Sequence, residues 1–250
     1  MKVISAISLL LGTVFLLVFS VPVQAANTDN AIETSIKKSY VFKTYLKDGK
    51  IKIKSMNGIV TLTGTVAEES HKTMAEETAA GLPGVKGVEN KLEVKGDRPL
   101  EKSDAWLLAK VKTTLLFHRS VSAKTEVDVK GGIVTLRGEA ENKTQKDLTT
   151  EYVKDIEGVK DVNNEMTLAK GGKGKRTTGG KIDDSSITTQ VKMSLLNHRS
   201  TSGLRTKVET KDGVVTLQGK AKNAAEKELA TKVAKDINGV KSVKNLMTVE

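Results

Sequence analysis

The chain has 250 residues, a formal net charge of +11 at pH 7, no cysteine and only 3% aromatic residues. The absence of cysteine excludes disulfides, a thiol nucleophile and thiolate metal sites. A core must therefore be built from Val, Ile, Leu and Ala. Most of the positive excess lies beyond residue 170, where it favours polyanionic partners.

The first 25 residues differ from the rest of the chain. A positive N-terminus precedes an apolar run, Val3 to Val21, and Val23-Gln24-Ala25 ends in the small-x-small pattern that signal peptidase accepts. The run is nearly long enough to span a membrane, but Pro22 interrupts it. We expect residues 1–25 to be a signal peptide cleaved near Ala25, with a retained anchor as the alternative, and a periplasmic mature protein.

Two short motifs recur three times after this segment. A glycine motif reads NGIVTLTG at 57–64, GGIVTLRG at 131–138 and DGVVTLQG at 212–219. Gly-Val-Lys follows at 84–86, 158–160 and 239–241, and precedes an Asn and a short alternating run each time. The offsets between copies stay constant at 74 and 81 residues, so the chain contains three copies of one unit.

Each unit predicts the element order α-β-β-α-β. An opening helix carries apolar residues at helical spacing, such as Ile32, Ile36 and Tyr40 in the first copy. Two alternating strands follow, joined by the Asn-Gly, Gly-Gly or Asp-Gly pair of a tight hairpin. Asp104 is placed to cap the second opening helix, and Asp184 or Ser185 the third. A second helix and a third strand complete an α+β domain, in which a three-stranded mixed sheet packs on two helices.

The boundaries between the units follow from composition. We predict domains at 29–96, 103–169 and 183–250. Residues 170–182 are rich in Gly and Lys and predict a flexible basic linker rather than a packed element.

The repeated unit resembles the BON-domain family. The resemblance rests on the hairpin pattern Gly-x-Val-x-Leu-x-Gly and on Gly-Val-x-x-Val-x-Asn before the last strand, which all three copies match. It implies a periplasmic or outer-membrane-associated protein of osmotic or envelope stress with phospholipid-binding modules. The motif glycines themselves are interpreted as fold residues that serve turns and close backbone approach. They are Gly58, Gly64, Gly84, Gly132, Gly138, Gly158, Gly213, Gly219 and Gly239.

No motif points to catalysis, a metal or a cofactor. His118 and His198 occupy equivalent positions, each followed by Arg, whereas the first copy has Thr44-Tyr45 there. The nearest carboxylates shared by both helices, Asp104 and Asp184, lie about four helical turns away, and no pair of histidines has metal-ligand spacing. We interpret both His-Arg pairs as polar ends of the opening helices, with contact to phosphate head groups as the alternative.

Trp106, the only tryptophan, opens the first helix of the second copy beside Leu107. It suits either packing within the protein or the membrane interface, where Lys110 and Lys112 would add attraction to anionic lipid. The predicted lipid contacts are Trp106, Leu107, Lys110, Lys112, His118, Arg119, His198 and Arg199.

The sequence therefore predicts a non-enzymatic envelope protein that makes peripheral contact with anionic phospholipid. A protein-interaction scaffold in the envelope is the alternative. Nucleic acid is not an expected partner, because the basic third copy has no Trp, Tyr or Phe for stacking on bases.

Overall fold

A computed structural model of the chain describes residues 23–95, 103–121, 125–169, 181–201 and 206–250, with only the backbone for 23–27. Most of the predicted signal peptide and most of the predicted linker lie outside the described residues. Three α+β domains follow one another along the chain, as the sequence predicts.

Domain 1 has a broken opening helix. Its elements are α1 (Val23–Lys38), α2 (Tyr40–Thr44), β1 (Lys50–Met56), β2 (Ile59–Val66), α3 (Glu69–Ala80) and β3 (Gly87–Val94). Ser39 separates the two helices in extended conformation, donating its hydroxyl to Ile36 O and accepting the Phe42 amide. The sequence predicted one helix through Tyr40, and the cap at Ser39 starts a second one instead.

Domains 2 and 3 repeat the α-β-β-α-β order without that break. Domain 2 comprises α4 (Asp104–Phe117), β4 (Glu126–Lys130), β5 (Ile133–Arg137), β6 (Glu139–Ala140), α5 (Lys143–Lys154), β7 (Asp161–Asn164) and β8 (Thr167–Leu168). Domain 3 comprises α6 (Asp184–Asn197), β9 (Thr206–Lys211), β10 (Val214–Ala221), α7 (Ala224–Lys235), β11 (Ser242–Asn245) and β12 (Thr248–Val249).

The opening helices of domains 2 and 3 are capped one residue earlier than predicted. Ser103 caps α4 by accepting the Trp106 amide, and Asp183 caps α6 by accepting the Ser186 amide. The predicted caps, Asp104 and Asp184, lie in the first turn of each helix, where they bind a neighbouring hairpin instead.

Each domain contains a mixed sheet around its middle strand. In domain 1, β2 pairs antiparallel with β1 and parallel with β3. In domain 2, β5 pairs in the same way with β4 and β7, and in domain 3, β10 pairs with β9 and β11. The helices cover the inner face, so apolar side chains alternate inward along each strand.

The Asn before each last strand ties that strand to the second helix. The Asn164 amide donates to Lys146 O (3.0 Å) and Thr150 Oγ1 (2.7 Å), while its oxygen accepts the Met166 amide. Asn90 and Asn245 make the same kind of link in their own domains. The recurring Asn therefore has a structural reason to be there.

Helix α6 lies between domain 3's own sheet and the other two domains. Ten of its fourteen residues are buried, including Thr188, Thr189 and Gln190. Its small side chains let α3 of domain 1 approach closely, and Thr78 Oγ1 lies 3.1 Å from Thr189 Oγ1. The cores of domains 1 and 3 join with Phe117 into one cluster, whereas domain 2 keeps a core of its own. Domain 3 is therefore the one that both other copies dock on.

Candidate functional site

One end of every domain gathers the start of the opening helix, the hairpin turn and the Gly-Val-Lys loop; we call it the turn end. In domain 2, Asp104 accepts the amides of Gly131 (2.6 Å) and Gly132 (2.9 Å), and these bonds hold the pKa of its carboxyl below the ordinary value. Asp29 and Asp184 bind the equivalent turns in domains 1 and 3. A carboxylate of the opening helix thus fixes each hairpin to that helix, from the first turn in domains 2 and 3 and from the second turn of α1 in domain 1.

Trp106 lies at the turn end of domain 2 and packs on its own domain. A Cβ built on Gly158 would be 3.4 Å from Cζ3 of the indole, so the ring covers this glycine. Lys110 Nζ lies 4.6 Å from the ring centroid and 3.2 Å from Glu157 Oε2. The ring is half-buried, which leaves one side open to solvent.

The other predicted contacts on α4 divide into buried and exposed groups. Leu107 belongs to the core of domain 2, with 2% of its surface exposed. Lys112 is exposed and has no ion-pair partner within the described parts of the chain. The fold therefore leaves Trp106 and Lys112 as the accessible members on this helix, because the Lys110 side chain is only 13% exposed and is bound by Glu157.

His118 is buried at the junction of domains 2 and 3. Its Nδ1 lies 3.2 Å from Asp236 Oδ2 and its Nε2 3.0 Å from Ser194 Oγ, both in domain 3. The Tyr152 ring stacks on the imidazole at 3.9 Å and donates its hydroxyl to the same carboxylate at 2.8 Å. Ser120 Oγ donates to Asp236 Oδ1, so one carboxylate of domain 3 receives three groups of domain 2.

His198 makes the reciprocal contact on the other side of this junction. Its Nδ1 lies 3.1 Å from Asp155 Oδ2 of domain 2, and Ser200 donates to Asp155 Oδ1. The two imidazoles are 5.8 Å apart, so the junction is close to two-fold symmetric. The symmetry breaks at His198 Nε2, which is buried without a hydrogen-bond partner in the described structure, and at Val233, which stands where domain 2 has Tyr152.

The two arginines close the ends of helices in the opposite domain. Arg119 Nη2 donates to three carbonyl oxygens after α7, those of Lys235, Ile237 and Val240, at 2.6–2.8 Å. Arg199 binds the end of α5 in the same way, through Lys154 O and Val159 O. A cation at a helix C-terminus interacts favourably with the orphan carbonyls there. The expected position was the end of each arginine's own opening helix, whereas each guanidinium lies at the end of the second helix of the neighbouring domain.

Asp236, His118 and Ser194 contact one another in the same order as the Asp, His and Ser of a hydrolase catalytic triad. Ser194 lies within α6 with no exposed surface, and His118 is 2% exposed. A substrate carbonyl could not approach the serine oxygen without separating the domains. In the described parts of the chain no group of three or more His, Cys, Asp or Glu side chains could hold a metal ion.

At this junction, burial and hydrogen bonding shift the pKa of each titratable group in opposite directions. Burial lowers the pKa of His118 and outweighs the Asp236 carboxylate, which raises it. Burial also raises the pKa of Asp236, but bonds from His118, Ser120 and Tyr152 outweigh it, so this pKa lies below its ordinary value. The junction therefore holds ionised carboxylates around a His118 ring that resists protonation.

Sequence reasoning missed the acidic half of the junction. Asp155-Ile156 and Asp236-Ile237 stand before the Gly-Val-Lys loops of copies two and three, where copy one has Gly81-Leu82. The motif His-Arg-Ser at 118–120 and 198–200 is likewise absent from copy one. Copies two and three contain both motifs, and copy one contains neither. This joint occurrence is the sequence signal that would have indicated that the two motifs bind each other.

The placement narrows the predicted set of lipid contacts. His118 and His198 are buried in the junction, and the guanidinium groups of Arg119 and Arg199 bind backbone carbonyls there. Lipid contact at the remaining exposed residues stays a prediction. In the described part of the chain, no helix has the length and apolar character needed to cross a membrane.

The BON domain family matches the chain three times, at residues 28–96, 103–170 and 183–250. The chain is 30% identical to Osmotically-inducible protein Y of Escherichia coli K12 over 204 residues, which are 81% of this chain and 96% of that protein. It is 33% identical to Outer membrane lipoprotein DolP of Haemophilus influenzae over 112 residues, 45% of this chain and 55% of that protein.

Among solved structures, CdsD, a structural protein of the type III secretion system of Chlamydia trachomatis, is 16% identical, covering 88% of this chain and 91% of that one. Its TM-score is 0.25, and at that value the likeness carries no inference.

Proposed function

Since the chain belongs to the BON-domain family with three tandem copies, we propose that it is a non-enzymatic, exported envelope protein that makes peripheral contact with anionic phospholipid under osmotic stress. The similarity to a protein named for osmotic induction supports the stress role. The similarity to an outer membrane lipoprotein and the signal-peptide pattern of residues 1–25 support the location.

The turn end of domain 2 is the surface that supports lipid contact. It presents the open side of the Trp106 ring together with Ile133, which is 46% exposed. Lys130 and Lys160 are exposed at the same end. A half-buried indole beside an exposed aliphatic side chain and cations suits the interface between lipid head groups and acyl chains.

We base the proposal that the protein is not an enzyme on the fact that a substrate cannot reach the groups that are arranged as in a catalytic triad. Within the described residues, the arrangement with catalytic order, Asp236–His118–Ser194, is closed between two domains and also maintains their contact. Its groups therefore have a structural task.

Trp106 provides the direct test, because its fluorescence is that of the only tryptophan in the chain. With vesicles of anionic phospholipid at low salt, we expect the emission to shift to shorter wavelength and to be quenched by brominated acyl chains. Zwitterionic vesicles should give neither effect, and high salt should weaken both. Absence of binding to anionic vesicles at low salt, or binding with unchanged Trp106 emission, would overturn the proposal for this surface.

A matched pair of lysine variants sharpens this test. Lys130→Gln removes an exposed charge at the turn end of domain 2 and should weaken vesicle binding about fivefold, since a lysine near an anionic surface contributes about 1 kcal/mol. Lys143→Gln removes an exposed charge at the start of α5 and should have a much smaller effect. Equal effects would indicate a response to net charge alone.

The alternative function, a protein-interaction scaffold, is supported by the junction itself. Domains 2 and 3 recognise each other through His-Arg-Ser and Asp-Ile, so a BON copy can be a docking unit for another. Cross-linking in envelope extracts separates the two functions: a scaffold enriches one protein in fixed proportion, and a lipid binder does not.

A further inference from the structure

The outward face of β1 in domain 1 carries an unbroken row of lysines. Lys50, Lys52 and Lys54 stand at alternate positions, so all three point to the face opposite the helices. Each is exposed, and none has an ion-pair partner within the described residues. The next outward residue is Met56. We call these four residues the β1 ridge.

The ridge ends in exposed apolar side chains at the turn end of domain 1. Met56 is 73% exposed, the largest value among the large hydrophobic residues of the described chain. Ile59 lies directly opposite it in the β1–β2 register and is 39% exposed. Neither side chain belongs to the hydrophobic core cluster of the domain, so core packing does not explain the exposure of Met56.

The equivalent strands of the other copies show that the fold does not need such a ridge. In domain 2, Glu126, Asp128 and Lys130 stand where domain 1 has Lys52, Lys54 and Met56. In domain 3 the corresponding residues are Lys207, Glu209 and Lys211, and Lys207 pairs with Glu209 at 2.7 Å. Protection of an edge strand against aggregation is therefore achieved with mixed charges in those copies. The like-charged row and the exposed Met56 belong to domain 1 alone, whereas an apolar residue stands at the position of Ile59 in every copy, as Ile133 and Val214.

Three carboxylates of domain 1 that lie around the ridge are already engaged, and Glu93, across Thr65 from Lys50, makes no ion pair with it. Asp29 binds the turn amides and the Ser55 hydroxyl. Glu33 accepts the Ser55 amide at 3.0 Å, and Glu89 pairs with Lys91 at 2.8 Å. The field of the three lysines is therefore not neutralised by a direct partner.

We propose that the β1 ridge is a second membrane contact, in which Lys50, Lys52 and Lys54 bind anionic phospholipid head groups while Met56 and Ile59 insert among the upper acyl chains. The proposal rests on the lipid binding proposed above and adds a site in another domain. A soluble polyanion would use the lysines but gain nothing from two exposed apolar side chains. The combination of both favours the lipid surface.

A fluorescent label at the tip tests insertion directly. The chain has no cysteine, so Met56→Cys in the full-length protein can be labelled at one position with an environment-sensitive dye. Lys211→Cys, at the same position of the domain 3 hairpin, is the matched control. With anionic vesicles we expect a blue shift and quenching by lipid-bound quencher at position 56 that exceed those at position 211. Polyphosphate in solution should give no shift.

A charge variant tests the lysines. The triple variant Lys50→Gln, Lys52→Gln, Lys54→Gln should bind anionic vesicles about 100-fold more weakly, since each lysine near such a surface contributes about a fivefold factor. A control with the same net charge replaces Lys43, Lys47 and Lys95, which are exposed at the opposite end of domain 1, and should lose much less.

The outcomes separate the two proposals. If the wild-type chain binds vesicles and shifts Trp106 emission, but the label at position 56 stays in water and the two triple variants bind alike, the β1 ridge proposal is wrong and the function stands. If the wild-type chain binds no anionic vesicles at low salt, the lipid-binding function fails, and the ridge proposal fails with it.

Discussion

Domain 3 is joined to its two neighbours by unlike junctions. Towards domain 2, each side presents His, Arg and Ser to an Asp and to the carbonyls at a helix end. Towards domain 1, the face of α6 packs on α3, while Tyr45 of domain 1, at the position of Arg119, contacts the Phe117 ring of domain 2 at 5.6 Å between centroids. The junction with domain 2 is reciprocal, whereas that with domain 1 combines helix packing with contacts that are not repeated from the other side.

The difference between the two junctions follows from the sequence of copy one. Copy one lacks both halves of the polar motif, and its second helix contacts α6 through Thr78 and through Glu77, which pairs with Lys192 at 2.6 Å. Asp183 adds a bond to the Tyr40 amide at 2.7 Å. The three copies therefore share a fold, while their docking surfaces are separate properties.

The largest expected effect comes from removing the carboxylate at the polar junction. Asp236→Ala leaves the buried His118 Nδ1, Ser120 and Tyr152 without their shared acceptor and should lower the free energy of unfolding by about 3 kcal/mol. Asp183→Ala, at the junction with domain 1, removes a helix cap and should cost about 1 kcal/mol. Urea unfolding of the full chain measures both.

Hydrogen exchange identifies where each variant loosens the protein. Asp236→Ala should expose the Asn238 amide, which bonds Phe117 O at 3.0 Å, and leave the Val41 amide protected. Asp183→Ala should do the reverse. Equal loss at both amides would mean that the two junctions are one cooperative unit.

The sequence predicted the repeated domain because its signals are local. Alternating strands, turn glycines and helix caps act within a few residues, so copies could be aligned and their element order deduced. The sequence did not predict the break at Ser39 or the position of the helix caps, which lie one residue earlier than expected. A Ser or Asp near a helix start can accept a hydrogen bond from more than one backbone amide, so the capping residue is ambiguous in the sequence.

The junction could not be deduced in that way, because its partners are 118 residues apart along the chain, as His118 and Asp236 are. A pattern of polar residues in the sequence does not indicate which domain those residues contact. The half-buried position of Trp106 is likewise set by Gly158 and Glu157 on a different loop. The sequence singled out His118, Arg119 and Trp106 as unusual, and only the fold shows what they touch.

Acidification should weaken the polar junction before the junction with domain 1. Burial keeps the pKa of His118 below its ordinary value of 6.5, so the unfolded chain takes up a proton first as the pH falls. The stability contributed by neutral His118 is complete above pH 6.5 and is lost as the pH falls towards its lowered pKa. Asp155 and Asp236 have lowered pKa values as well, and their contribution is lost only below about pH 3.8.

Exchange of the Asn238 and Val41 amides between pH 7.5 and pH 5 measures this difference, with the intrinsic rates corrected for pH. The Asn238 amide should lose protection and the Val41 amide should keep it. His71 in domain 1 also has a pKa lowered by burial, so His71→Gln is the control that must retain the effect. If His118→Gln shows the same pH dependence as the wild type, the assignment to His118 is wrong.

The smallest expected effect concerns the broken symmetry inside the polar junction. Tyr152→Phe removes the hydroxyl that donates to Asp236 and keeps the ring stacked on His118, so Asp236 retains His118 and Ser120 as partners. Loss of one hydrogen bond to a charged group that keeps its other bonds should cost about 1 kcal/mol. Tyr152→Val copies Val233 of domain 3 and also removes the stacked ring, so it should cost more. Urea unfolding measures the loss of unfolding free energy in both variants. Equal losses would assign the contribution of Tyr152 to its hydroxyl, whereas no loss in Tyr152→Phe would assign it to the ring.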